Sequence, residues 1–165
     1  MRKFVLFLGV LLLLPVAAHA QHYTLYAGYS YLHLDSSPST ASLNGWDAAL
    51  TDNFASAVGV TADLSGDYGT INGVSGSNFH SFLFGPQLRF PATVSPFLHG
   101  LVGIAHVGGG GTSGTSLAEG FGGGVDIHVT SLLAFRPIQV DYIRSRFNST
   151  AQNNFRISLG LVFNF

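Results

Sequence analysis

Histidines, acids and arginines are the side chains of this sequence that could carry chemistry. There are seven histidines and no cysteine, so thiolate zinc sites, cysteine nucleophiles and disulfide frameworks are excluded. The histidines show no H-E-x-x-H motif or other close pairing of the kind that metal sites use. His80, Ser81 and Glu119 are the types that a lipid hydrolase would use as base, nucleophile and acid. Because neighbouring strand residues point to opposite faces, His80 and Ser81 are expected to be separated. The sequence therefore predicts no metal, no cofactor and no enzyme.

The chain that must position these groups is poor in charge. Only 9% of its 165 residues are charged, whereas 47% are apolar and 13% aromatic. An ordinary soluble domain has about a quarter charged residues. This composition favours a single domain whose surface lies in an apolar environment.

The N-terminal segment has the pattern of an export signal. Arg2 and Lys3 precede the apolar run from Phe4 to Val16, and Ala18-His19-Ala20 fits a signal-peptidase cleavage site. The run is too short for the roughly 20 residues of a spanning helix. We expect residues 1–20 to be a cleaved signal peptide and residues 21–165 the mature domain. The mature chain then has five arginines against eight acids, which provides no basic patch for nucleic acid.

Apolar residues recur with the period of two that is typical of a β-strand. The last segment is the clearest case, with an apolar face made of Phe155, Ile157, Leu159, Leu161, Phe163 and Phe165. Turn signals divide the mature chain into eight such segments. They are placed at 23–35, 44–51, 54–65, 78–90, 95–107, 116–129, 133–146 and 153–165.

The connections alternate between tight turns and longer loops. Asp52-Asn53, 91–94 and 130–132 are predicted as tight, and 36–43, 66–77, 108–115 and 147–152 as longer external loops. An even number of strands with this alternation is typical of an outer-membrane β-barrel. A soluble ligand-binding barrel is the alternative, but thirteen charged residues cannot cover its outside. The predicted fold is an all-β, eight-stranded antiparallel up-and-down transmembrane barrel.

Particular segments of the mature chain resemble a known family. Ala27-Gly28-Tyr29-Ser30-Tyr31, Asn44-Gly45-Trp46-Asp47, Phe82 to Phe90, Gly122 to Asp126 and Arg136 to Tyr142 are similar to the small eight-stranded OmpA-like and opacity-type outer-membrane barrels. The resemblance covers residues 21–165. It implies location in the bacterial outer membrane after export through the periplasm. The terminal Phe165 resembles the signal by which the barrel-assembly machinery recognises its clients.

Prolines and glycines mark irregular places in the predicted strands. Pro96 and Pro137 can lie near the periplasmic ends of strands, whereas Pro86 is expected to lose a ladder bond or to mark a bulge. Gly122 to Gly124 should allow a neighbouring side chain or backbone to come close.

Charged residues on the inward face are expected to fill the lumen in two layers. Counted from the short-turn ends, Asp63, Asp141 and Arg156 share one level. Arg89 and Asp126 fall in a lower layer, so Asp63 and Arg89 are not expected to be partners. The lower layer also includes Gln87 and, as further candidates, His99 and His128. The alternative is that these groups are solvated in a leaky lumen.

Residues on the outward face are expected to meet lipid. Tyr29, Tyr31, Trp46, Tyr142 and Phe165 are interpreted as interfacial aromatics. Arg144 and Arg146 share the outward parity of Tyr142, so they are candidates for contact with acidic headgroups or lipopolysaccharide phosphates, with ordinary solvation as the alternative.

Three functions remain compatible with these observations. The leading one is a monomeric, non-enzymatic outer-membrane protein with a structural or surface-interaction role and a filled polar lumen. Its expected partners are outer-membrane lipids, lipopolysaccharide and, during biogenesis, the barrel-assembly machinery. The alternatives are a narrow pore and a lipid-modifying enzyme; an aqueous channel of porin size needs about 16 to 18 strands.

Overall fold

The structure of the protein, a computed structural model, describes residues 22–36, 39–147 and 150–165. The predicted signal peptide at residues 1–20 lies outside these residues. Within the described ranges, no helix is long and apolar enough to cross a bilayer.

Eight antiparallel strands form a closed barrel in which each strand pairs with the next along the chain. Its closure comes from β1 and β8, which pair from Thr24–Asn164 to Asp35–Asn153. The eight strands are β1 (Tyr23–Ser36), β2 (Ser39–Ala55), β3 (Val58–Ile71), β4 (Val74–Arg89), β5 (Val94–Gly109), β6 (Thr112–His128), β7 (Leu133–Phe147) and β8 (Thr150–Asn164). The predicted fold, an all-β eight-stranded antiparallel barrel, is confirmed.

The strands are longer than the sequence pattern predicted, and the external loops are correspondingly shorter. Residues 66–71 and 74–77 are paired strand rather than loop, and most of 108–115 is strand as well. Asn72-Gly73 and Gly110-Gly111 form two-residue turns with positive φ at both positions, the geometry that Asn-Gly and Gly-Gly favour. Asp52-Asn53 lies within β2 rather than at a turn. The prediction of four longer loops was therefore wrong in extent.

The prolines interrupt the sheet in different ways. Pro86 pairs with Val60 of β3, but Gly85 and Pro86 have no pairing with β5, and the register is the same on both sides of this gap. Pro86 thus loses ladder pairing without a bulge. Pro137 lies where the register of β7 shifts against both β6 and β8. That shift is a β-bulge, and it reverses which residues of β7 face inward.

The polarity of the barrel inverts along its axis. We call the end with the turns at 72–73 and 110–111 the loop end, and the other the terminal end. Towards the terminal end the outward face is apolar and the lumen is polar. Towards the loop end the lumen holds a buried apolar group that we call the upper core, made of Leu32, Leu34, Ala41, Leu43, Phe79, Leu83, Leu101, Ala105, Ala118 and Ile143. The expectation of a polar lumen therefore holds for only part of the barrel.

Candidate functional site

Arg156 lies at the centre of the lumen, where its guanidinium binds two of the predicted acids. Nη1 and Nη2 donate to the two carboxylate oxygens of Asp63, each at 2.9 Å. Nε and Nη2 donate to Oδ2 of Asp141 at 3.0 and 2.7 Å. Arg156 has 0% of its surface exposed. The structure thus brings together the three residues assigned to one level.

A third acid, Asp47, completes this cluster and was not predicted. Its Oδ1 lies 3.5 Å from Nη1 of Arg156, and its Oδ2 accepts a hydrogen bond from Ser158 at 2.7 Å. Asp47 is inward on β2 and 1% exposed. Its inward parity in the Asn44 to Asp47 segment was the signal that could have identified it. Three carboxylates therefore surround one buried guanidinium.

The cluster continues towards the terminal end through Asp141 and Gln139. Asp141 binds Nε2 of His99 at 2.7 Å and accepts a bond from Nε2 of Gln139 at 2.8 Å. Oε1 of Gln139 accepts from Nη1 of Arg136 at 2.5 Å. The polar groups thus form one chain along the lumen rather than two separate layers.

Arg136 is the cation that binds Asp126 in the lower part of this network, and it was not among the predicted lumen residues. Its Nε and Nη2 donate to the two carboxylate oxygens of Asp126 at 2.7 and 3.1 Å. Its guanidinium carbon lies 4.3 Å from the centre of the Tyr26 ring and 4.2 Å from that of Phe97. A cation between two aromatic faces is stabilised by their quadrupoles.

The other residues expected in the lower layer have different surroundings. Gln87 accepts a hydrogen bond from Thr61 at 3.1 Å, and the Arg89 Nε and His128 Nδ1 atoms are buried without a hydrogen-bond partner among the described residues. Arg89 forms no ion pair with Asp126, because the bulge at Pro137 turns Arg136 into that position.

Two of the glycines on β6 leave room for side chains of this network. A Cβ at Gly122 would overlap Oδ1 of Asp141, and one at Gly124 would lie 3.0 Å from the ring of Phe97. The close approach expected at Gly122 to Gly124 thus takes place on the lumen side at Gly122 and Gly124, whereas a Cβ at Gly123 would meet the backbone of Phe97 and the outward side chain of Leu98. It allows Asp141 and Phe97 to reach their partners.

The outward face carries an apolar band between two sets of aromatic residues. The set towards the loop end is Tyr29, Tyr31, Trp46, Tyr68 and Tyr142, and the set at the terminal end is Tyr23, Phe54, Phe90, Phe135 and Phe165. On β1 the band runs from Tyr23 to Tyr31, nine residues, which is within the 9 to 11 or so that a tilted strand needs to cross a bilayer.

Three tyrosine hydroxyls mark the loop-end edge of this band. Tyr29 donates to Asn44, the hydroxyl of Tyr31 lies 2.8 Å from that of Ser42, and Tyr142 donates to Asn153 at 2.6 Å. Each partner lies on the adjacent strand, two residues closer to the loop end. Each ring therefore has an apolar side towards the band and a polar side towards the loop end, as interfacial tyrosines do.

Comparison with solved structures finds the same architecture in known proteins. Neisserial surface protein A (NspA) superposes with a TM-score of 0.75 at 15% identity, covering 87% of this chain and 97% of that one. Ail, the attachment invasion locus protein of Yersinia pestis, gives a TM-score of 0.60 at 17% identity, with the same coverage of both chains. The N-terminal β-barrel domain of Pseudomonas aeruginosa OprF gives 0.55 at 14%, covering 88% and 98%. No family model matches the chain, and no curated protein matches its sequence.

The chain has the fold of the small outer-membrane β-barrels. At these identities the likeness is one of fold, and the resemblance noted in the sequence is confirmed at that level. In a barrel of this kind the band between the aromatic sets is the surface that faces lipid.

Arg144 and Arg146 lie on the outer face of this outer-membrane-type barrel, beyond the band on the loop side. Both are exposed. Arg144 lies opposite Glu119 on β6 and Asn153 on β8. Both arginines thus adjoin Tyr142 at the loop-end edge of the band.

Phe165 lies at the terminal edge of the band, where the first and last strands meet. Its N–H donates to the carbonyl of Tyr23 and its carbonyl accepts from the N–H of Tyr23, both at 2.9 Å. The two rings are 6.1 Å apart. Phe165 thus faces outward, in register with Phe163 and Leu161.

The barrel wall separates Ser81 from His80 and Glu119, the other two groups considered for catalysis. Ser81 is inward and buried, 2.8 Å from the hydroxyl of Ser65. His80 lies on the outer face, where its ring contacts Tyr68 edge-on at 5.5 Å. Glu119 lies on β6, opposite Val102 rather than near His80. The geometry does not bring these groups into a nucleophile–base arrangement.

Proposed function

We propose that this chain is a non-enzymatic protein of the bacterial outer membrane with a structural or surface-interaction role. The apolar band bounded by aromatic residues supports this location, because such a surface is stable only against hydrocarbon. Exposed Leu, Ile, Val and Phe side chains on all eight strands would be unfavourable in water. Export through the periplasm and recognition of Phe165 by the barrel-assembly machinery are parts of the same proposal.

The filled lumen is the observation that carries the non-pore role. Arg156 and its acids fill the middle, and above them Leu32, Leu43 and Phe79 are fully buried. An eight-stranded barrel is just wide enough to be filled by side chains. For the narrow pore to form, the side chains of both the ion network and the upper core would have to move out of the lumen.

The strands that extend past the band towards the loop end support a surface role. The outward side chains there include polar residues such as Asn44, Asn78 and Asn153, which suits contact with water or with a partner. Two proteins of the same fold have names that refer to the cell surface and to attachment. We further propose that Arg144 and Arg146 contact phosphate groups of lipopolysaccharide or other acidic lipids at this level, and that the protein acts as a monomer.

Location and orientation can be tested by labelling cysteines in intact cells. The chain has no native cysteine, so single variants of the full chain, Thr112→Cys at the loop end and Ala57→Cys in the turn at the terminal end, form a matched pair of exposed sites. A membrane-impermeant maleimide should label the first in intact Gram-negative cells and the second only after the cells are permeabilised. Equal labelling of both in intact cells, or recovery of the protein in the soluble fraction, would contradict the proposal.

Conductance and lipid turnover separate the proposed role from its two alternatives. Purified protein in planar bilayers should give no stepwise conductance, and incubation with phospholipid or lipopolysaccharide should release no acyl chains. Steady channels would support the narrow pore. Acyl release that is abolished by Ser81→Ala would support the enzyme.

A further inference from the structure

The loop end of the barrel contains an open cavity of about 410 Å³. This volume lies within the range of roughly 300 to 1,000 Å³ that is usual for small-molecule sites. Its apolar floor includes Leu34, Ile71 and Val107. Ile71 and Val107 are partly buried side chains that pack against the upper core. The cavity is therefore the place where the upper core is left uncovered.

The rim of the cavity is polar but carries no charge. It is formed by Ser77, Thr112, Ser113 and Gln152, among others, and none of the described residues that line the cavity is charged or aromatic. An anion or a cation entering this cavity would lose hydration without meeting an opposite charge. The absence of aromatic rings removes the stacking surface that flat ligands use, and leaves an aliphatic floor.

Two rim hydroxyls already donate their hydrogen atoms within the protein. Ser77 donates to the carbonyl of Val74 at 2.8 Å, and Thr112 donates to the carbonyl of Gly109 at 3.0 Å. Because a hydroxyl has one hydrogen and two lone pairs, each of these oxygens can only accept a further hydrogen bond. Ser77 is only 2% exposed, whereas Thr112 is exposed, so Thr112 is the one of the two that a ligand can reach. A ligand that bonds to Thr112 must therefore supply the donor.

We propose that this cavity binds an uncharged amphiphile with an aliphatic body and an alcohol or amide head group. The aliphatic body packs on Leu34, Ile71 and Val107, and the head group donates a hydrogen bond to Thr112. Ligand binding would be part of the proposed surface role. It rests on the proposed function in one respect, because external ligands reach the cavity only if the loop end faces the outside.

Four six-carbon probes test the ligand chemistry directly. The full-length protein, matured in cells and reconstituted in lipid nanodiscs, is titrated at pH 7 with 1-hexanol, hexanamide, hexanoate and hexylammonium, and methyl NMR shifts are followed, with empty nanodiscs as the partitioning control. The alcohol and the amide should shift the methyl resonances of Leu34, Ile71 and Val107. The charged probes should bind at least about tenfold more weakly, because their charge would be unpaired in the cavity.

Variants separate cavity binding from partitioning into lipid. Val107→Trp fills the cavity and should weaken hexanol binding about tenfold or more, whereas Val102→Trp, on the lipid-facing side of the same strand, should not change it. Gln152→Lys, at the rim, should allow hexanoate to bind, and it keeps the test valid if Val107→Trp does not fold.

Three results would overturn the proposal. These are equal binding of all four probes, shifts confined to lipid-facing methyl groups such as that of Val102, and no gain of hexanoate binding in Gln152→Lys. A failure of this kind would leave the cysteine labelling in cells unaffected. Conversely, labelling that contradicts the outer-membrane location would leave hexanol binding in nanodiscs unchanged, so the two failures can be distinguished.

Discussion

Replacing Arg156 by alanine should be among the most destabilising single changes in the lumen. The guanidinium makes four hydrogen bonds to Asp63 and Asp141 and an ion pair with Asp47. Removing it leaves three buried carboxylates facing one another. Breaking a buried pair in this way typically costs about 3 to 5 kcal/mol. With three acids and no exposed surface on the arginine, we expect the upper part of that range.

The double variant Arg156→Ala with Asp141→Ala measures how strongly the two residues are coupled. Asp141→Ala leaves Arg156 with Asp63 and Asp47, so its loss should be smaller, about 2 to 4 kcal/mol. Since both changes remove the bonds between Arg156 and Asp141, the double variant should fall short of the sum by about 1 to 3 kcal/mol, as for residues in one network. Arg156→Lys should recover only part of the stability, because an ammonium cannot form the paired contacts to Asp63.

Reversible urea unfolding in lipid vesicles measures these differences, with the emission of Trp46, the single tryptophan of the chain, as the probe. Arg146→Ala is the matched control, since its side chain is exposed and its loss should be within about 0.5 kcal/mol. Strictly additive effects, or a loss at Arg156 no larger than that of the control, would refute the view that Arg156 holds the lumen together.

Three further predictions follow from the outer face and the glycines. Deleting Phe165 should lower the yield in the outer membrane much more than it lowers the stability of refolded protein, and equal yields in cells would count against an assembly role. Changing Arg144 and Arg146 together to glutamine should weaken lipopolysaccharide binding, most clearly at low salt, and unchanged binding would remove the headgroup proposal. Gly122→Ala should cost about 1 to 3 kcal/mol because its Cβ overlaps Asp141, while Gly100→Ala, whose Cβ would meet nothing within 4 Å, should be nearly neutral in the same unfolding assay.

The barrel itself could be predicted from the sequence because its signal is repeated. Each strand alternates weakly, but eight strands in succession with almost no charge exclude the soluble alternatives. The ends of the strands could not be predicted in the same way. Residues 66–71 and 74–77 are rich in Gly, Ser and Thr, which is the composition of a loop. They are strand because their neighbours extend equally far and satisfy their backbone hydrogen bonds.

The centre of the lumen was predictable for a related reason, and its lower part was not. Counting from the turns placed Asp63, Asp141 and Arg156 at one level, since the one extra residue at the Pro137 bulge changes the height of Asp141 by only about one residue. Between Asp141 and Arg136 the bulge at Pro137 adds one residue. Counting by twos from Asp141 would point Arg136 towards lipid, whereas it is inward and 4% exposed. One extra residue in a strand thus reverses which side chains beyond it point inward and which point outward.

The inversion of polarity explains why a charged cluster and an apolar core share one lumen. Within the band the outer face must be apolar, because it meets hydrocarbon, and a polar lumen is tolerated only if its groups bind one another. Beyond the band the outer face meets water, so the strands there need an apolar interior, as in a soluble barrel. The two regimes meet where Leu32 lies opposite Arg156 on the neighbouring strand. The upper core therefore shields the Arg156 cluster from water on the loop side, and a shielded cluster is stable only while its charges remain paired.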